Sequence, residues 1–229
     1  MESSQVKINL RDRKAAATRL AITQAVSERL KTRQLGDISV EEIAEVAGVS
    51  RMTVFNYFPS KERILDHLFL TWLYEEQCES QRQGLRGVAG ILHLFEFIGR
   101  LVGESPIRAR QLAAWSAGRP FGLPYRDLTI ADRMLVDPDL AEHPLVMGRE
   151  RFLALVEEAR QAGEIDLPGS DFELAHLIGT LLFATPLLGH SASDLDWEQL
   201  YLHHARRALG IDMGVSNRKK VARTVARPA

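Results

Sequence analysis

The residues best suited to chemistry fall together in Thr53-Val54-Phe55-Asn56-Tyr57-Phe58-Pro59-Ser60-Lys61, which offers hydroxyls, an amide, a ring edge and a lysine within one short helix and the start of the next. A helix that only packs has no need of that set. Hydroxyl and ammonium donors suit phosphate oxygens, and a helix beginning at Ser60 would point free N–H groups, together with Lys61, at an anion alongside. Arg51, just upstream, carries the group that can bond guanine at two acceptors, with a phosphate contact as the alternative. Bond-making chemistry has no comparable signature. The chain lacks G-x-G-x-x-G, G-x-x-x-x-G-K-[ST], H-E-x-x-H and G-x-S-x-G, and one cysteine, Cys78, leaves no cluster for structural zinc. His203 and His204 are adjacent and so point different ways on a helix, and Ser216-Asn217-Arg218-Lys219 matches S-x-x-K only by spacing, in a tail. The expectation is a binding protein, not an enzyme, with neither cofactor nor metal.

The elements that must position this set are legible around it. In Ile38-Ser39-Val40-Glu41-Glu42-Ile43, Ser39 can accept from the backbone of Glu42 while the Glu42 side chain reaches back, a capping box, and Ile38 and Ile43 occupy staple positions. Val40, Ile43, Ala44 and Ala47 form one inward face, and Gly48 ends the helix because a left-handed turn costs glycine little. Ser50 caps a second helix, Val49 and Val54 are its staple, and Pro59 ends it soon after Phe58. A small residue at 44, a turn at 48 and a filled corner at 54 are the packing requirements of a helix-turn-helix. Phe58 and Val54 read as core.

Apolar residues recur at helical spacing almost throughout, so the fold class is all-α. Helices are expected over about 14–31, from Lys61 onward with Ile64, Leu65, Leu68, Phe69 and Trp72 as a stripe, over 85–103, 107–117, 149–162, 171–184 and 196–209. Residues 119–144, with four prolines, read as irregular. The net charge of −1 conceals three zones: +3 over 1–61 (ten Lys/Arg, seven Asp/Glu), −9 over 62–212 (14 against 23) and +5 over 213–229 (five against none). Three regions follow: a DNA-binding domain at 1–61, ordered from about residue 14, a larger helical domain at 62–212 and a disordered basic tail at 213–229. Arg218, Lys219, Lys220, Arg223 and Arg227 of the tail can add salt-sensitive attraction to DNA or simply be solvated. The longest nearly uncharged apolar stretch, 177–189, is 13 residues and too short to span a bilayer. With a polar N-terminus and one cysteine, a cytoplasmic, non-membrane protein is expected.

Residues 39–62, Ser39 through Glu62, together with the helix before them, resemble the TetR family of bacterial transcriptional regulators over about residues 14–69. The resemblance implies an N-terminal three-helix DNA-binding domain joined to a larger ligand-binding and dimerisation domain. It further implies a homodimer on double-stranded DNA, binding a near-palindromic operator with one recognition helix per subunit in successive major grooves, roughly 34–36 Å apart. Repression relieved by a small-molecule effector is the family expectation. By position, Arg51, Met52, Phe55 and Asn56 fall where members approach bases, Thr53, Tyr57 and Lys61 where they hold phosphates, and Ser39 at the phosphate-facing start of the preceding helix. This chain departs at Met52, where glycine or proline is common, and at Phe55, where tyrosine is usual. Phe55 keeps a ring for a thymine methyl but loses a hydroxyl, so operator preference does not transfer.

In the larger domain the resemblance makes 149–162 and 171–184 the pair that forms a four-helix dimer interface, with Phe152, Leu155, Val156 and Ala159 on the first and Leu174, Leu177, Ile178 and Leu181 on the second. His176 and Thr180, with Trp72, Phe95, Trp115 and Phe121, are candidates to line an effector pocket. Core or interface packing is the commoner use of such residues.

Overall fold

The structure, a computed structural model, describes residues 8–117, 127–188 and 195–211, and these residues contain ten α-helices and no strand. In chain order they are α1 (Leu10–Leu30), a 3-10 turn (Leu35–Asp37), α2 (Val40–Val46), α3 (Arg51–Tyr57), α4 (Lys61–Arg82), α5 (Gly87–Glu104), α6 (Pro106–Ala117), α7 (Ile130–Val136), α8 (Gly148–Gln161), α9 (Asp171–Leu188) and α10 (Trp197–Ala208). Packing divides the chain into two compact units, Met1–Arg82 with Ser105–Met147 and Gln83–Glu104 with Gly148–Ala229. The helix-turn-helix region expected at 1–61 therefore packs in one body with α4, α6 and α7. The basic tail expected to be disordered lies outside the described residues. No helix among those described is long and apolar enough to cross a membrane.

The first unit is built on one apolar cluster. Ile22, Ala25, Val26 and Leu30 of α1, Ile43 and Ala44 of α2, Val54 of α3 and Ile64, Leu65 and Leu68 of α4 close on one another, with Leu112 of α6 completing the group. Burying these branched side chains is the main force holding two seven-residue helices that would not form alone. α1 begins at Leu10 rather than near residue 14, because the Asn9 side chain caps it by accepting from the Asp12 N–H at 2.8 Å. The stretch 119–144, read as irregular, contains α7. Its start is a capping box in which Thr129 accepts from Asp132 N–H (3.2 Å) and Asp132 accepts from Thr129 N–H (3.0 Å). The loop after α7 is strapped to α4: Tyr74 donates to the Leu140 carbonyl (2.6 Å), Gln77 bonds Pro144 and Val146, and Arg82 grips Asp137 at 2.6 and 2.8 Å.

The second unit packs α5 against α8 and α10, and α8 against α9. Glycines permit the close crossings. A Cβ on Gly99 would stand 2.7 Å from the Glu198 Cα of α10, and one on Gly90 would stand 2.6 Å from a Leu155 methyl of α8. α9 continues past residue 184 to Leu188 with Pro186 inside it. Proline lacks the N–H that would bond the Leu182 carbonyl, and the Tyr201 hydroxyl of α10 donates to that carbonyl instead, at 3.1 Å.

Phe152, Leu155, Val156 and Ala159, expected at a dimer interface, are buried inside this unit, as are Leu174 and Ile178 of α9. All six therefore take part in packing within the chain itself. The apolar stripe of α8 is used within the chain, against α5 and α9, and has almost no surface left to offer a second copy. On α9 the outward face carries Phe172, His176, Leu177 and Thr180, with Leu181 half-buried.

Candidate nucleic-acid interface

The local geometry of α2 and α3 follows from their caps. Ser39 Oγ accepts from Glu42 N–H (3.1 Å), and Glu42 Oε2 accepts from Ser39 N–H (3.0 Å). The same carboxylate binds Arg33 at 2.7 Å. The Arg33 hydrogen bond, followed by that from Ser39 N–H, pushes the Glu42 pKa down to about 2. After α2 the chain reverses at Gly48, whose φ of 66° is left-handed, and the Val49 N–H returns to the Ala44 carbonyl at 2.9 Å. Ser50 opens α3 by accepting from Thr53 N–H at 3.1 Å. Val54 and Phe58 are buried beneath it.

With that register fixed, α3 presents Arg51, Met52, Phe55 and Asn56 to solvent, Met52 at 68% exposure and Phe55 at 38%. These are the four side chains expected to approach bases. Thr53 and Tyr57 sit half-exposed at the edge of the same surface. The Thr53 hydroxyl is 2.8 Å from that of Ser50. Arg51 is held on two sides. Its Nη1 is 3.1 Å from Glu41 Oε1 of α2, and its Cζ stands 5.6 Å from the centre of the Phe55 ring.

Lys61 is placed differently from the phosphate contact expected of it. Its ammonium donates to the carbonyls of Leu35 (2.8 Å), Ile38 (3.0 Å) and Gly36 (3.1 Å), closing the 3-10 turn that leads into α2. Three donors meet three carbonyls, so in the free protein Lys61 positions the motif. Gln111 of α6 supports the same segment, accepting from Leu35 N–H at 2.8 Å and donating to the Arg33 carbonyl at 2.9 Å.

Sequence reasoning missed the contribution of α1. Leu10, Arg11, Asp12, Lys14, Ala15 and Tyr57 line an open hollow of about 780 Å³ beside the recognition helix, which puts two cations next to the Tyr57 edge. Arg19, one helical face further along, reaches the Tyr57 ring (6.0 Å) and pairs with Asp132 of α7 at 2.7 Å. The run of basic residues at 11, 13, 14 and 19 was the available signal.

Of the effector candidates, Trp72 and Trp115 belong to the first unit and Phe95, His176 and Thr180 to the second. Trp72 and Trp115 pack on the core beneath the helix-turn-helix, Trp72 under the Arg108 guanidinium at 4.7 Å and Trp115 edge-on to Phe69 at 6.3 Å. In the second unit Phe95 is wholly buried against Tyr201 at 6.1 Å. His176 and Thr180 are exposed on α9, where His176 stacks on Phe172 and the Thr180 hydroxyl donates to the His176 carbonyl at 2.9 Å. Phe121 lies outside the described residues. Among the described residues no group of three His, Cys, Asp or Glu is placed to hold a metal.

Comparison with known proteins bears on the same segment. Residues 28–68 match the model for bacterial regulatory proteins of the tetR family. The chain is 50% identical over 46 residues to the HTH-type transcriptional regulator EthR of Mycobacterium tuberculosis, and 44% identical over 45 residues to EthR of Mycolicibacterium smegmatis. Each match covers 20% of this chain, and it spans only 21% of the length of these curated relatives. In fold, the chain is similar to the transcriptional regulator FadR of Bacillus subtilis, solved in complex with stearoyl-CoA, at a TM-score of 0.58 and 17% identity, covering 85% of this chain and 99% of that one. It is also similar to Thermus thermophilus FadR in complex with lauroyl-CoA, at 0.53 and 21%, covering 85% and 95%.

Proposed function

We propose that this chain, whose residues 28–68 match the tetR-family model, is a TetR-type homodimeric transcriptional repressor released from a near-palindromic operator by a small-molecule effector. The observation that carries the reading is the exposed set Arg51, Met52, Phe55 and Asn56 on a short helix capped by Ser50, whose other face is anchored by Val54 and Phe58. Base edges in a major groove need side chains presented from a fixed backbone, and a capped helix on a buried core provides one. Arg51 is assigned a base contact, Thr53 and Tyr57 phosphate contacts, and Arg11 and Lys14 additional backbone contacts alongside Tyr57. Ser39 serves as cap to α2.

Dimerisation is assigned to the outward face of α9, which carries Phe172, His176, Leu177 and Thr180, because the exposed Phe172 and Leu177 on a helix otherwise sealed into its unit favour burial against a like surface. An effector signal reaching α6 has a route to DNA binding through Gln111, which holds the segment entering α2. The acyl-CoA ligands of the two FadR proteins make long-chain acyl-CoA thioesters the first compounds to test.

The test is selection from a random duplex library with the full-length chain, followed by gel shift with and without stearoyl-CoA, lauroyl-CoA and a metabolite panel. Enrichment of a two-fold symmetric sequence, bound by a dimer and released by one compound, is the expected result. Failure to enrich any sequence would overturn the DNA-binding assignment. Tight binding that no compound relieves would overturn effector release alone.

A further inference from the structure

We propose that Glu41 is a positioning residue for Arg51 and thereby a determinant of operator specificity, even though its own charge repels DNA. The inference rests on α3 being the base-reading helix. Glu41 lies in the first turn of α2, across the turn from Arg51, and its Oε1 is 3.1 Å from Arg51 Nη1. The two side chains are 61% and 64% exposed, so the pair adds little to stability. Its consequence is for orientation.

A free arginine in the first turn of a short helix samples many rotamers, and each one lost on binding costs affinity. Here the guanidinium has two neighbours that bias its orientation, the Glu41 carboxylate at one nitrogen and the Phe55 ring, 5.6 Å from its Cζ. Guanidinium has five N–H donors in a planar fork. Occupying one terminal nitrogen leaves the rest of the fork free for the two acceptors of guanine, in an orientation set before DNA arrives. The carboxylate also sits on the surface that would face phosphates, where it weakens sequence-independent attraction. Both effects raise the ratio of specific to non-specific binding.

The experiment uses the full-length protein, E41Q, R51A and the double variant E41Q/R51A. Each is measured against the site selected by the wild type, against all single-base variants of that site, and against an unrelated duplex. Glutamine keeps the shape of Glu41 and removes the charge, and circular dichroism with a thermal melt confirms folding of each variant. E41Q is expected to lose about threefold of base preference at the same position where R51A loses it, and to bind the unrelated duplex about threefold more tightly at low salt. In the R51A background, E41Q should change no base preference. Full preference retained in E41Q would overturn the inference, as would a loss of preference that persists when Arg51 is absent. So would an R51A variant that weakens every duplex equally, since Arg51 would then be a phosphate contact. A wild type that enriches no sequence would instead overturn the DNA-binding reading on which the inference stands.

Discussion

Substituting Asp132 with Asn removes the charge at the polar centre of the first unit while keeping the side-chain shape. Asp132 Oδ1 accepts from Arg19 Nε at 2.9 Å and lies 2.7 Å from its Nη2, and His67 Nε2 is 3.5 Å from the same oxygen. The other oxygen accepts from the Thr129 N–H and hydroxyl at 3.0 and 2.7 Å. The side chain is only 5% exposed. Burial alone would raise its pKa, but His67, Thr129 and Arg19 together outweigh burial and hold it at about 2, against an ordinary 3.8. That separation corresponds to about 2 kcal/mol supplied by the ionised form. Because the unfolded chain takes up the proton first, this stabilisation is complete above about pH 4 and is lost as pH falls through about 2. At pH 7, D132N should lose about 2–3 kcal/mol, less than for a fully buried pair because the orphaned Arg19 retains some contact with water. Urea denaturation at pH 7 and at the lowest pH where both proteins fold measures the gap between wild type and variant. The gap should shrink by about 1 kcal/mol at about pH 3 and by about 2 kcal/mol if both proteins still fold at about pH 2. An equal gap at both pH values would refute the argument that the ionised carboxylate is the stabilising species.

Three further outcomes follow from contacts described above. Lys61→Met should destabilise the fold by about 1–3 kcal/mol, because three carbonyls lose their donor, and should leave the slope of log affinity against log salt unchanged; a slope reduced by about one with intact stability would return Lys61 to the phosphate contacts. Leu177→Glu should convert the dimer to a folded monomer in light scattering, whereas Phe152→Ala should cost about 3–5 kcal/mol of stability and leave the assembly dimeric; dissociation by F152A alone would restore α8 to the interface. Gly99→Ala should destabilise by more than about 2 kcal/mol, since the added Cβ meets α10 backbone at 2.7 Å and helix backbone cannot step aside as a side chain can; a neutral result in thermal melting would mean that the α5–α10 crossing is looser than described.

The helix-turn-helix was legible because its instructions are local. Ser39 and Glu42, Ser50 and Thr53, and Gly48 each act on backbone within three residues, and the sequence spacing already contains the geometry. The same kind of signal stood at Thr129 and Asp132 but was masked by the surrounding prolines, which mark breaks in a chain without saying where a helix fits between them. Pro186 shows the converse. A proline near a helix end removes one hydrogen bond, and whether the helix survives depends on a donor 15 residues away, Tyr201, that no local pattern reveals.

The packing partner of α8 was not legible for a related reason. An apolar stripe states that a helix face will be buried, and the partner can be the same chain or a second one. The discriminating residues were not on α8 at all but on α5, where Gly90 provides the close approach that Leu155 fills. Lys61 repeats the point with a charge. Beside a recognition helix a lysine reads as a phosphate ligand, yet the 3-10 turn and its flanks leave the carbonyls of Leu35, Gly36 and Ile38 facing it, and an ammonium has three donors to give them. Positioning and contact are therefore divided between residues of like type: Lys61 and Arg19 spend their charge inside the first unit, while Arg51 carries its charge at the surface, tethered by Glu41. In a motif this short, the cations that orient the helices are as necessary to reading DNA as those that touch it, and their sequence positions alone do not distinguish the two groups.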